Sequence, residues 1–185
     1  MPSTMSFGVM SVRGLRSIAR SWHTSAGPVT ADTDVAGWNG WTLRQVINSA
    51  QLSNSGDTKI RITMEAGAAE GFAVNAAYVG HAAAAGDAYD FETTPVQLQV
   101  GASNSWTISA GAQQVTDSAT FTLNTSKNLI VSIQCNSATD TSRSKVTQTG
   151  WQSYSRNALD ASTVNTTGYA SGNAVQLVVK VETMP

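Results

Sequence analysis

The sequence predicts an all-β protein, a jelly roll or β-sandwich preceded by an N-terminal arm. From Trp38 onward, apolar residues recur at every second position in short runs, as in strands with one buried face. Clusters of Gly, Ser, Asn and Asp separate these runs, which is typical of sandwiches and barrels. Charged residues make up only 12% of the chain, about half the usual share, so Ser, Thr, Asn and Gln must cover much of the surface. We therefore predict a β-domain over residues 38–185.

The strands can be placed in order along this domain. The run at 58–66 puts Ile60, Ile62 and Met64 on one face, and 42–52 is either a strand or a helical turn. The stretch SWTISAGAQQVTDSATFTL at 105–123 is predicted to be a scaffold hairpin. Further strands are predicted at 72–80, 95–101, 128–135 and 174–184.

The C-terminal part of the domain contains one strand and one polar segment. The last predicted strand aligns Val175, Leu177, Val179 and Val181 on one face. Residues 140–172 are polar and weakly periodic, so we expect a long loop there, and long loops on a β scaffold often carry binding residues.

Residues 1–37 are predicted to form a basic arm. No acidic residue precedes Asp32, and Arg13, Arg16 and Arg20 would share one face of a helix, with Trp22 turned elsewhere. We favour an arm that docks on an acidic partner surface through these four residues. A partly ordered basic tail and a transit peptide are the alternatives.

Composition excludes several classes of protein. A net charge of −1 and a pI near 6.0 argue against a nucleic-acid-binding domain. No apolar run reaches the roughly 20 residues that a membrane helix needs, so we expect no membrane partner. The single cysteine, Cys135, cannot form an internal disulfide and is predicted to face the core.

Catalytic and metal-binding motifs are scarce. His23 and His81 are the only histidines, and His81 at a strand end is most simply a structural hydrogen-bonding residue. We predict no enzyme activity, no cofactor and no metal. Two alternatives stay open: a calcium site at GDAYDFE (86–92), and a pair of glycosidase carboxylates brought together by the fold.

Aromatic residues in the polar segment suggest a second kind of site. Trp151, Tyr154 and Tyr169 would form a carbohydrate-binding site if their rings were exposed on a loop. The alternative is that these rings close the ends of the sandwich as part of its core.

Several short motifs together resemble a known module. They are WTLRQVI (41–47), KIRI (59–62), AYVGH (77–81), ISAGA (108–112), TDS (116–118) and LIVS (129–132). This series, within residues 38–135, resembles the jelly-roll module found as an N-terminal β-domain of SGNH/GDSL-type hydrolases. It is also similar to domains in structural proteins of tailed phages and gene transfer agents. The nucleophile block of the hydrolases is not matched, because SGDT (55–58) leads directly into a strand.

The resemblance and composition together predict a non-enzymatic virion protein of a tailed phage or phage-like particle. It would serve as a capsid decoration, a head fibre, or a tail or baseplate component. Its expected partners are other virion proteins, bound through the arm, and its own copies in a homotrimer. The alternatives are a carbohydrate-binding module for a host surface polysaccharide, an accessory domain of an SGNH-type hydrolase, and a hydrolase that uses carboxylates not identifiable from the sequence.

Overall fold

The computed structural model describes residues 20–135 and 140–185, which form fifteen strands and one 3₁₀ turn, η1 (Ser49–Gln51). The strands are β1 (His23–Ala26), β2 (Thr33–Ala36), β3 (Thr42–Ile47), β4 (Lys59–Glu65), β5 (Phe72–His81), β6 (Val96–Leu98), β7 (Trp106–Ile108), β8 (Gln113–Val115), β9 (Ala119–Thr120), β10 (Leu129–Cys135), β11 (Thr141–Lys145), β12 (Trp151–Arg156), β13 (Ala170–Ser171), β14 (Val175–Gln176) and β15 (Val178–Met184).

These strands form three antiparallel sheets. The five-stranded sheet has the order β1-β15-β4-β8, and β9 also pairs with β4. The seven-stranded sheet has the order β13-β12-β3-β10-β5-β6, and β7 also pairs with β5. A small sheet has the order β14-β11-β2. The predicted all-β sandwich is confirmed.

The main core lies between the two larger sheets. Ile60, Ile62 and Met64 of β4 are fully buried, as their alternation predicts. Leu43 and Ile47 of β3 belong to the same core cluster. Cys135, at the end of β10, is also buried there, which confirms its predicted core position.

The domain begins earlier than the sequence predicts. β1 pairs with β15 and β2 pairs with β11. Ala26 at the end of β1 and Val29 between the two strands are buried in the core. The predicted boundary at residue 37 is therefore too late, because residues 23–36 form part of the sandwich. These strands are four residues long and carry few large apolar side chains, so their period is hard to see in the sequence.

The predicted hairpin at 105–123 is wrong in its pairing. β7 pairs with β5 in the seven-stranded sheet, whereas β8 and β9 pair with β4 in the other sheet. The segment is therefore a crossing between two sheets. Residues 42–52 are a strand followed by a 3₁₀ turn.

Two other expectations also change. The predicted loop at 140–172 contains β11, β12 and β13. The predicted strand at 174–184 is interrupted at Leu177, whose φ of 66° places it in the left-handed region. That break moves the chain from β14 in the small sheet to β15 in the five-stranded sheet.

Within the described part of the chain, no helix is long and apolar enough to cross a membrane.

Candidate functional site

The outer face of the seven-stranded sheet is covered by two connecting segments, residues 82–94 and 157–169, which we call the cap. A second apolar cluster fills the space between the sheet and the cap; its buried members are Val46, Ala82, Tyr89, Phe91, Ile130 and Tyr169. Gly80 of β5 allows this close packing, since a Cβ there would lie 2.7 Å from a ring carbon of Phe91. The central strands of this sheet are consequently buried on both faces.

Arg44 of β3 is the charged centre of this region and is fully buried. Its Nη1 donates to the carbonyl of Tyr89 at 2.6 Å, and its Nη2 donates to the carbonyl of Thr163 at 2.5 Å. The guanidinium carbon lies 4.8 Å from the ring centroid of Phe91 and 5.1 Å from that of Tyr169. One side chain thus binds both cap segments to the sheet, by hydrogen bonds and by cation–π contacts.

Two carboxylates fix the cap from within. Asp160 accepts hydrogen bonds from the Tyr169 hydroxyl at 2.6 Å, from Thr166 at 3.1 Å and from Arg156 at 3.2 Å. Asp90 accepts from the main-chain N–H groups of Asp87 and Thr166. Burial, with the nearby Asp160, raises the pKa of the Tyr169 hydroxyl and keeps this donor protonated.

An open cleft lies beside the cap, with a volume of about 500 Å³. Asp87, Asp90 and Arg156 line it. Within residues 20–135 and 140–185, no three carboxylate, histidine or cysteine groups are arranged to hold a metal ion. The side chains that line the cleft are polar, and its buried carboxylate, Asp90, accepts hydrogen bonds from main-chain N–H groups.

A smaller groove, partly lined by Ala88 of the cap, has a volume of about 230 Å³. We call this cavity the groove; its lining residues are Val46, Asn48, Ala88, Asn128, Gly150, Trp151, Gln152 and Tyr154. Val46, Gln152 and Tyr154 come from the adjacent strands β3 and β12, with Val46 opposite Gln152 in the register. The two asparagines follow β3 and precede β10, where both strands reach the same end of the sheet.

The predicted carbohydrate-binding rings do not form one exposed platform. The Trp151 side chain belongs to the main core and is only 4% exposed, as the alternative of a core ring predicts. Tyr169 is also buried, beneath the cap. Tyr154 is half-buried, and Tyr89 lies between Tyr154 and Tyr169, with centroid separations of 5.1 and 4.8 Å.

The polar residues of the groove were not found from the sequence. Asn48, Asn128 and Gln152 lie at separate places in the chain, and each stands among other polar residues. No spacing links them, because the pairing of β3 with both β10 and β12 is what brings them together. The sequence indicates only that Asn48 and Asn128 lie near the boundaries of predicted strands or turns.

Two of the four predicted arm residues lie within the described residues. The guanidinium carbon of Arg61 lies 4.4 Å from the Trp22 ring centroid, and Arg61 also pairs with Glu182 at 3.0 Å. Arg20 is exposed and donates from Nη1 to the carbonyl of Pro185 at 3.1 Å. Trp22 therefore packs on the five-stranded sheet, while Arg13 and Arg16 lie outside the described residues.

His81 has a structural contact, as expected from its place at a strand end. Its Nε2 accepts a hydrogen bond from the N–H of Asn124 at 3.0 Å, and its ring packs 4.7 Å from the Phe121 ring. Burial, together with the charge of Lys127, lowers the pKa of this imidazole. Burial also raises the pKa of the Cys135 thiol.

These features define an all-β sandwich whose outer sheet face is covered by a cap anchored on a buried arginine. No protein-family model matches the chain, and the curated proteins contain no significant match to it.

Proposed function

We propose that this chain is a non-enzymatic structural component of a tailed phage or phage-like particle, located in the virion as a capsid decoration, a head fibre, or a tail or baseplate protein. The observation that carries the proposal is how the potentially catalytic side chains are used. Asp90 and His81 accept main-chain N–H groups, and Asp160 joins side chains of the cap. Because these side chains hold loops in place through hydrogen bonds, they support a scaffold role.

The surface composition also supports a scaffold role. A surface covered mainly by neutral polar side chains is common in virion shells and fibres, and the charged fraction of this chain is only 12%.

The beginning of the sandwich suits attachment to a partner. β1 is an edge strand of the five-stranded sheet, and residues 20–22 precede it there. Arg20 lies there, exposed and beside Pro185. We propose that residues 1–22 bind an acidic surface of another virion protein, with Arg13, Arg16 and Arg20 as the contacting cations.

Self-association into a homotrimer is the second part of the proposal. β8 lies at the opposite edge of the same sheet, and its Val115 is 38% exposed. Unpaired edge strands bind other chains readily, so the two edges of this sheet, at β1 and β8, are the expected contact surfaces between copies. Native mass spectrometry of the full chain tests this, and a monomer at all concentrations would contradict it.

The arm is tested by deletion before the first strand. Deleting residues 1–19 leaves β1 and β2 intact, so the shortened chain should still fold into the sandwich, with the far-ultraviolet spectrum of a β-protein. In cells that produce the particle, the tagged full chain should sediment with purified particles, and the shortened chain should not. Normal incorporation of the shortened chain would refute the arm, and exclusion of the full chain would refute the virion role.

Charge reversal gives a milder version of the same test. Arg13→Glu, Arg16→Glu and Arg20→Glu together should weaken incorporation, and the difference from the native chain should shrink as salt rises. The scaffold role is tested separately with acetylated sugars and simple esters. Turnover that disappears on mutation of one buried polar residue would overturn it.

A further inference from the structure

The groove carries polar groups in fixed orientations. Asn48 accepts the N–H of Ala50 with its Oδ1 at 2.9 Å, as the N-cap of η1. Asn128 accepts the N–H of Ser49 with its Oδ1, also at 2.9 Å. Both amides must therefore turn their Nδ2 groups away from these contacts. Neither Nδ2 donates a hydrogen bond to any described residue, so both remain donors for a ligand.

Gln152 has the opposite orientation. Its Nε2 donates to the carbonyls of Ser153 and Gly172, at 3.1 and 3.0 Å. Its Oε1 makes no hydrogen bond within the described chain and is left as an acceptor. The groove thus presents two donors and one acceptor whose orientations are set by main-chain contacts, so ordering them on binding costs little entropy.

The aromatic component is Tyr154. Its ring is half-buried and supported by Tyr89, at a centroid separation of 5.1 Å. Tyr154 provides the apolar surface next to the amides, and the largely buried Val46 also lines the groove there. An apolar ring face beside fixed amide donors and acceptors suits a ligand with hydroxyl groups on a saturated ring, since each hydroxyl both donates and accepts a hydrogen bond.

The charges around the groove indicate a neutral ligand. Among the described residues, no charged side chain lines the groove itself. A second cavity shares Asn128 and is lined by Lys127 and Glu92, but these two form an ion pair at 2.5 Å. The volume of about 230 Å³ is below the usual range of roughly 300–1,000 Å³ for drug-sized ligands, so the groove accommodates one end of a chain or a single ring.

We propose that the groove binds a neutral saccharide through the amides of Asn48, Asn128 and Gln152 and the ring of Tyr154. The site differs from the one that the sequence predicts, because Trp151 and Tyr169 are buried and contribute packing. It is independent of the arm and of the particle role proposed above.

The test uses the full chain and an array of neutral hexose and N-acetylhexosamine oligosaccharides, with oligogalacturonate as a charged comparison. At least one neutral saccharide should bind. Asn48→Ala and Asn128→Ala should each weaken its binding about fivefold, the effect of losing one hydrogen bond. Gln97→Ala is the matched control, because Gln97 is an exposed amide on β6 outside the groove.

The ring is tested by Tyr154→Ala against Tyr78→Ala. Tyr78 is also half-buried on the same sheet but does not line the groove, so it controls for a general loss of packing. Tyr154→Ala should abolish saccharide binding, and Tyr78→Ala should preserve it. Binding of no neutral saccharide, binding of oligogalacturonate alone, or binding unchanged in the groove variants would overturn the proposal. None of these results would affect particle incorporation.

Discussion

Arg44→Met gives the most direct test of how the cap is held. Methionine keeps an apolar stem between the rings of Phe91 and Tyr169. It removes the hydrogen bonds to the carbonyls of Tyr89, Asp160 and Thr163. The Tyr89 carbonyl would then lie buried without a donor, at a cost of about 1–3 kcal/mol. Losing the charge-assisted hydrogen bond to the Thr163 carbonyl adds to this cost. Water replaces part of that interaction, because Thr163 is exposed.

We expect the free energy of unfolding to fall by about 2–4 kcal/mol in total. At roughly 2–4 °C per kcal/mol for a domain of this size, the melting temperature should fall by about 4–16 °C. Removing the desolvation cost of a buried cation acts in the opposite direction, which keeps the expected value below the sum of the lost bonds.

Urea unfolding measures the free energy, and limited proteolysis of the native state locates the damage. Cleavage should appear first within residues 82–94 or 157–169. Arg61→Met is the control for the site of the damage, because Arg61 is only partly buried and lies in the other large sheet, so its loss should cause no new cleavage in the cap. A loss below about 1 kcal/mol for Arg44→Met, with no new cleavage in the cap, would refute the anchoring role.

The remaining predictions concern single side chains. Trp151→Ala should lower the free energy of unfolding by about 3–5 kcal/mol, measured by urea titration, since it removes a core ring; a change under 1 kcal/mol would show that the ring is exposed. For His81 the folded pKa lies below the ordinary value of 6.5, so the unfolded chain binds the proton more readily and stability should fall as the pH drops below about 6.5. His81→Gln should flatten that dependence between pH 6.5 and 5, and an unchanged slope would contradict the assignment. The Cys135 thiol should resist a thiol reagent in the native state and react after unfolding, because it is buried and its pKa is raised; fast native labelling would disprove this.

The sequence predicts those strands whose two faces differ. β4 alternates Ile60, Ile62 and Met64 with polar residues, and its existence, length and buried face all follow from that alternation. β10 and β5 were also found, because their apolar positions outweigh their polar ones. The low charge can be read from the composition, and the burial of the single cysteine from its place on the apolar face of its strand.

Pairing and burial of the remaining segments depend on the tertiary structure. β7 and β8 look like a hairpin because they are adjacent, yet each pairs with a distant strand in a different sheet. Trp151 stands in a polar segment, but the pairing of β12 with β3 turns its ring into the core. Arg44 resembles the exposed position of an alternating strand, and the cap that buries it comes from parts of the chain more than forty residues away.

The groove shows the same limit most clearly. Asn48, Asn128 and Gln152 are ordinary polar residues in the sequence, and their local turns determine only how each amide is oriented. Their common site exists because β3 lies between β10 and β12, a neighbourhood fixed by hydrogen bonds between strands some eighty and a hundred residues apart. Local periodicity determined the class of this protein, and long-range strand pairing decided which side chains meet.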